Sequence, residues 1–182
     1  PVSGAGNRMM WYPQKSAFRV GTTTGQDWDK NQIGVYSFAT GFNTRATAPY
    51  SISMGFNNIV NGIASFSTGT SNTIAGKYSV ALGNLNYVGG DYSMAFGTES
   101  YSIGYNSISM GSQSRSLGDY SFSAGAGSEA SGFGSIAMGY YNKAYTYYST
   151  SFGSSNQTFG QGAISMGYGT IARGNYSISS GY

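Results

Sequence analysis

From residue 36 onward, large and small side chains alternate within a five-place phrase that opens on Ser and closes on Gly. Ser51-Ile52-Ser53-Met54-Gly55 and Ser135-Ile136-Ala137-Met138-Gly139 show it clearly. Large residues take the second and often the fourth place, as in Val80 and Leu82, Met94 and Phe96, or Ile108 and Met110. Small ones sit between them: Ala39, Ser53, Ser67, Ala81, Ala95, Ser109, Ser123, Ala137, Ser151, Ser165 and Ser179. This two-residue alternation predicts a short strand.

The phrase returns every 14 residues, in eleven copies with no insertion or deletion, closing on Gly41, Gly55, Gly69 and so on to Gly181. A fixed short period marks units that stack on their neighbours. A second, shorter extended piece centres on Ala46, Val60, Ile74, Val88, Ala130, Ala144 and Ala172. A turn follows it, usually with glycine: Gly62, Gly76, Gly90, Gly104, Gly118, Gly132, Gly160 and Gly174. Another turn follows the first piece, with Asn43, Asn57, Asn72 or Asn142 nearby. Gly and Asn tolerate the positive backbone angles of tight corners.

Two strands and two corners per period predict a flattened, all-β parallel solenoid of about eleven 14-residue coils, spaced about 4.8 Å apart. The large and small rows are both nearly free of charge, so both faces of the long strand are expected to be buried. One would fill the coil interior and the other would be covered by self-association about the long axis. The pattern leaves open which is which.

Residues 1–35 lack the period. Arg8-Met9-Met10-Trp11-Tyr12 and Ser16-Ala17-Phe18-Arg19-Val20 read as two short strands around Pro13-Gln14-Lys15. An open solenoid end needs a cover, so 1–35 is expected to be an N-terminal β cap on the 36–182 array. A ligand pocket built on Trp11 and Trp28 is the alternative.

Composition narrows the function. Glycine is abundant at 29 residues and only 8 % of residues are charged, but the 16 % aromatic content and regular apolar positions oppose disorder. Glycine does not recur every third residue, which excludes collagen. The net charge of +3 is scattered, so no basic stripe marks a nucleic-acid partner. No cysteine is available for disulfides, and no run approaches the roughly 18 apolar residues of a membrane span. Membrane contact within this chain is therefore not expected. The chain opens on Pro1 and stops within a repeat, so a longer parent protein carrying its own export signal is expected.

The Ser-Val/Ile-Ala-Ile/Met-Gly phrase on its 14-residue period resembles the YadA-like head repeat of trimeric autotransporter adhesins. Ser135-Ile136-Ala137-Met138-Gly139 is the best single match, with Ser79-Val80-Ala81-Leu82-Gly83 close behind. The resemblance covers 36–182. It implies a left-handed parallel β-roll, a homotrimer and a bacterial surface location, outer-membrane-anchored or fibrous. It also implies adhesion to a host matrix protein, a glycan or other cells. Two departures stand out: Ala163 replaces one lead serine, and Tyr often precedes the serine. The lead-in from Arg8 to Gly21 is instead similar to segments that precede such repeats in long fibre proteins. A passive spacer, a filament or a phage-type fibre shaft is accordingly the second functional expectation.

In a stacked array, residues 14 apart form surface columns. The place before the serine holds Tyr36, Tyr50, Tyr78, Tyr92, Tyr120, Tyr148 and Tyr176. Phe42, Phe56, Tyr140, Tyr168 and Tyr182 follow the closing glycine as a second aromatic row. Such rings either stack on one another, at about 0.5–1.5 kcal/mol per well-placed pair, or form a strip that grips sugar or protein. Charges form columns too. Arg115, Glu129 and Lys143 alternate in sign, as do Lys77 and Asp91. They read as ion pairs at solvated corners worth at most about 1 kcal/mol each.

No catalytic or cofactor chemistry is expected. Histidine and cysteine are absent, and the array's acids (Asp91, Glu99, Asp119 and Glu129) recur in no close pair. Asp91 and Asp119 stand two rungs apart without the companions a calcium site needs. Gly125-Ala126-Gly127 reads as a solenoid corner rather than a phosphate loop. Thr40, Thr68 and Thr150 are too sporadic for an ice-binding threonine array.

Overall fold

The structure, a computed structural model, describes residues 3–182. The chain forms two compact units, one up to Tyr92 and the other Ser93–Tyr182. Both are parallel β-solenoids, and the described residues contain no α-helix.

In the first unit, strand β1 (Gly6–Tyr12) runs antiparallel to β2 (Ala17–Thr23), joined by a 3₁₀ turn at Pro13–Lys15. The second strand then pairs in parallel with the first long strand of the array, Phe38–Phe42. Ile52–Phe56, Phe66–Thr70 and Val80–Asn84 follow at intervals of one coil, with Gly41, Gly55, Gly69 and Gly83 in register. Arg45–Ala46, Ile59–Val60, Thr73–Ile74 and Tyr87–Val88 form the second, narrower sheet.

The second unit repeats the plan. Its long strands run from Met94–Thr98 to Ile178–Gly181 and its short ones from Tyr101–Ser102 to Ile171–Ala172. The first unit thus holds four complete coils and the second six, so ten are complete and the eleventh copy contributes a long strand alone.

Burial decides which row lines the interior. The small third-place residues of the complete coils are fully buried, among them Ala39, Ser53, Ala81, Ser109 and Ala137. Val60, Ile74, Val88, Ala130 and Ala144 of the short strands face them and are equally buried. Two sheets wound within 14 residues lie too close together for large side chains on both. The larger members therefore come from the short strands, and the long strands turn their big residues outward. Ile52, Phe56, Met110, Phe152 and Met166 are exposed on that outer face.

The interior is also polar; several of its hydroxyls satisfy corner carbonyls, while Ser67 Oγ and Thr44 Oγ1 have no partner. Ser65 Oγ donates to Gly76 O at 3.0 Å and Ser79 Oγ to Gly90 O at 3.0 Å. A buried polar group without such a partner would cost about 1–3 kcal/mol.

Two expectations about the corners need correction. Gly62 and Gly76 do not adopt positive φ. Their requirement is close approach, because a Cβ on Gly62 would lie 1.8 Å from the Gly76 carbonyl oxygen. The left-handed residue at this corner comes two positions later, in the tyrosine column. At the other corner Asn43 and Asn57 do hold positive φ, of 49° and 54°. Asn72 and Asn142 do not; the positive φ belongs to the preceding Ser71 and Tyr141. Both asparagines are fully buried, together with Asn58, Asn86 and Asn156.

The N-terminal segment closes around two large buried side chains. Arg19 pairs in register with Ala39 and so occupies the column of small interior residues. Its guanidinium donates to Ser37 O, Ser37 Oγ and Ala46 O at 2.8–3.0 Å, and to Phe18 O at 2.8 Å. Burial pushes its pKa down to about 10. Trp28 is 1 % exposed and its Nε1 donates to Thr44 O at 2.8 Å, whereas Trp11 is 57 % exposed on the hairpin. The pocket on Trp11 and Trp28 is therefore not formed: one ring is sealed inside while the other faces out.

Candidate functional site

The tyrosine column occupies the left-handed region throughout. Tyr36, Tyr50, Tyr78, Tyr92, Tyr120, Tyr148 and Tyr176 hold φ between 55° and 59°. That region costs a side-chain-bearing residue about 1–2 kcal/mol. The conformation throws each ring outward at the corner, leaving it between 46 % (Tyr92) and 75 % (Tyr176) exposed.

In the first unit the rings stack face to face. Tyr36 and Tyr50 lie 5.2 Å apart at 18°, and Tyr78 and Tyr92 lie 5.0 Å apart at 14°. In the second unit Asn106, Gly134 and Gly162 interrupt the column, and neighbouring rings fill in. Tyr120 meets Tyr105 edge-on at 5.6 Å and Phe133 at 5.2 Å, and Phe133 also contacts Tyr148 at 5.7 Å and Tyr147 at 5.9 Å. Tyr105, Phe133 and Tyr147 belong to this patch but were not singled out in the sequence. They stand one place ahead of the tyrosine column, Phe133 and Tyr147 one coil apart and Tyr105 two coils before Phe133 with Asp119 between, and that alignment was the available signal.

The second aromatic row lies elsewhere. Phe42, Phe56, Tyr140 and Tyr168 each end a long strand, on the outer face shared with Ile52 and Met54 in the first unit and with Met138 and Met166 in the second. Phe42 and Phe56 stack at 5.1 Å and 8°, and Tyr168 and Tyr182 at 5.3 Å and 23°, whereas Tyr140 meets Tyr141 edge-on at 4.5 Å. An apolar groove of about 320 Å³ bounded by Met138 and Phe152 opens on this face. The two candidate rows therefore belong to different surfaces.

The charged columns divide in a similar way. Arg115 Nη1 lies 3.5 Å from Glu129 Oε2, with Lys143 next in register. In the other column, Asp91 Oδ1 accepts the backbone N–H of Lys77 at 2.8 Å. Asp119 does the same for Tyr105 and Asn175 for Gln161. These side-chain oxygens, two carboxylate and one amide, cap the backbone of the preceding coil, a role the charge pattern alone did not reveal.

Fourteen-residue coils, an interior of Ala and Ser and glycine-packed corners define a repetitive parallel β-solenoid whose chemistry lies in its surface columns. The family model of the YadA head domain repeat matches residues 33–58, 75–100, 102–128, 130–156 and 160–182, and the chain belongs to that family. No curated protein sequence matches it.

Proposed function

We propose that this chain is the head of a homotrimeric bacterial surface adhesin and works by attachment, without a covalent step. Membership in the YadA head family supports this reading. So does the division of the surface into two kinds of aromatic row. The long-strand face, with Ile52, Phe56, Met110 and Met166 exposed, suits burial between copies of the chain. The tyrosine column stands at a corner away from that face, where three copies would present it many times over to a matrix protein or a glycan.

The observation that carries the proposal is that the tyrosines keep exposed rings in a backbone region glycine would occupy more cheaply. Replacing Tyr120 and Tyr148 by Ser is expected to abolish attachment to cells or matrix proteins with melting little changed. Retained attachment with lowered melting would favour the second reading, a spacer or fibre shaft whose rings only pack. The 5.0–5.2 Å stacks at Tyr36–Tyr50 and Tyr78–Tyr92 support that second reading. Light scattering tests the assembly: a trimer is expected, and a stable monomer would overturn it.

A further inference from the structure

We propose that a groove on the short-strand side of the second unit binds an uncharged oligosaccharide. The proposal rests on the adhesin reading and names a ligand class and a site outside both aromatic rows.

The groove, of about 530 Å³, spans four consecutive coils. One side follows the corner column Glu99, Gln113, Gly127, Tyr141. Its backbone is left-handed at every step, with φ of 53°, 56°, 63° and 50°. Because three of these four positions carry side chains, the backbone does not demand glycine at 127. What Gly127 provides is room. A Cβ there would come within 2.6 Å of Tyr141 Cε1, so the Tyr141 ring is laid across the glycine while remaining 47 % exposed.

The other side is formed by the first residues of the short strands. Tyr101 begins it, 41 % exposed, followed by Arg115, Glu129 and Lys143. The polar groups between the two rings hold one another in place. Gln113 Nε2 donates to Glu99 Oε2 at 2.9 Å, and Ser131 Oγ donates to Glu129 Oε1 at 2.8 Å. The Arg115 guanidinium lies 3.5 Å from Glu129 and 5.9 Å from the Tyr101 ring centroid.

This is the chemistry of sugar recognition. The exposed Tyr141 ring can take the C–H face of a pyranose, and fixed carboxylate, amide and guanidinium groups supply both acceptors and donors for hydroxyls. The chain has only nine basic and six acidic residues, yet two of each line this one groove. Their signs cancel, which removes the field that an anionic glycan or a basic peptide would need. The lining runs over three rung intervals from Glu99 to Tyr141, roughly 14 Å at about 4.8 Å per rung, the length of a short oligosaccharide rather than a single sugar.

Saturation-transfer NMR and calorimetry on the full chain would use chitotriose and cellotriose as neutral probes. Sialyllactose and a heparin tetrasaccharide would serve as anionic ones. A neutral probe is expected to bind, and Tyr141→Ser to weaken it about tenfold with unchanged melting. Tyr141→Phe should keep binding, and Gly127→Gln, which fills the groove with the side chain present one coil earlier, should remove it. Binding of anionic probes alone, no binding, or full affinity in a Tyr101→Ser/Tyr141→Ser variant would overturn the proposal. Attachment of the unaltered chain to cells and matrix proteins, measured in parallel, tests the adhesin reading separately: sugar binding decides the groove, attachment decides the head.

Discussion

Asn58 Oδ1 accepts the backbone N–H of Asn72, one coil further on, at 2.8 Å. Asn72 repeats the contact with Asn86 at 3.0 Å, while its Nδ2 donates to Thr68 O and Gly83 O. Each buried amide thus ties its own coil to the next. Asn72→Ala removes one buried and two part-buried hydrogen bonds and is expected to cost about 2–4 kcal/mol. Asn72→Ser should cost less, because Ser114 fills the same column and its Oγ reaches Met110 O and Gly125 O. Urea unfolding of the two variants checks the order.

Coil spacing makes one class of glycine irreplaceable for steric reasons alone. A Cβ on Gly76 would stand 1.9 Å from the Gly90 carbonyl oxygen, whereas one on Gly174 meets nothing nearer than 3.5 Å. Gly76→Ala should destabilise by about 3 kcal/mol or more as two coils are forced apart. Gly174→Ala should be nearly neutral. Equal melting shifts for the two would contradict the account.

The tyrosine column reverses the usual ranking of alanine over glycine. Tyr78 combines a φ of 55° with a 5.0 Å stack on Tyr92. Tyr78→Ala loses the stack and keeps the strain, while Tyr78→Gly loses the stack and relieves it. The Gly variant should be the more stable by about 1 kcal/mol, as differential scanning calorimetry would register. Gly134 and Gly162 already hold the same column position at a φ of 62°.

Arg19 supplies a prediction in pH. Burial lowers its folded pKa to about 10, below the ordinary arginine range, so above pH 10 the folded state sheds its proton before the unfolded chain does. Stability from this group is therefore constant below pH 10 and rises above it. Chemical denaturation of wild type and Arg19→Met between pH 6 and 9 should give a constant difference. Arg19→Ala removes the buried guanidinium's hydrogen bonds and leaves a cavity in the column of small interior residues, although Ser37 O and Ala46 O keep the backbone N–H groups of Phe18 and Gly34; it should cost about 2–4 kcal/mol at neutral pH.

Spacing alone was enough to establish the coils, the long strand with its closing glycine, the parallel register and the columns, because a constant 14-residue period converts chain distance into vertical alignment. Gly41 opposite Gly55 and Tyr36 over Tyr50 follow from that arithmetic. It could not say which face of the long strand turns inward, since both rows are uncharged. The narrow gap between the sheets decided this, by admitting Ser53 and Ala81 and excluding Ile52 and Leu82. Nor could spacing separate Asn57 from Asn58, one turning the backbone and the other buried as a ladder rung. A shift of one residue moves a side chain from solvent to interior, and only the folded coil sets that phase. The same holds for Tyr141 lying over Gly127: no sequence pattern marks the pair, and a groove exists only once the coils are stacked.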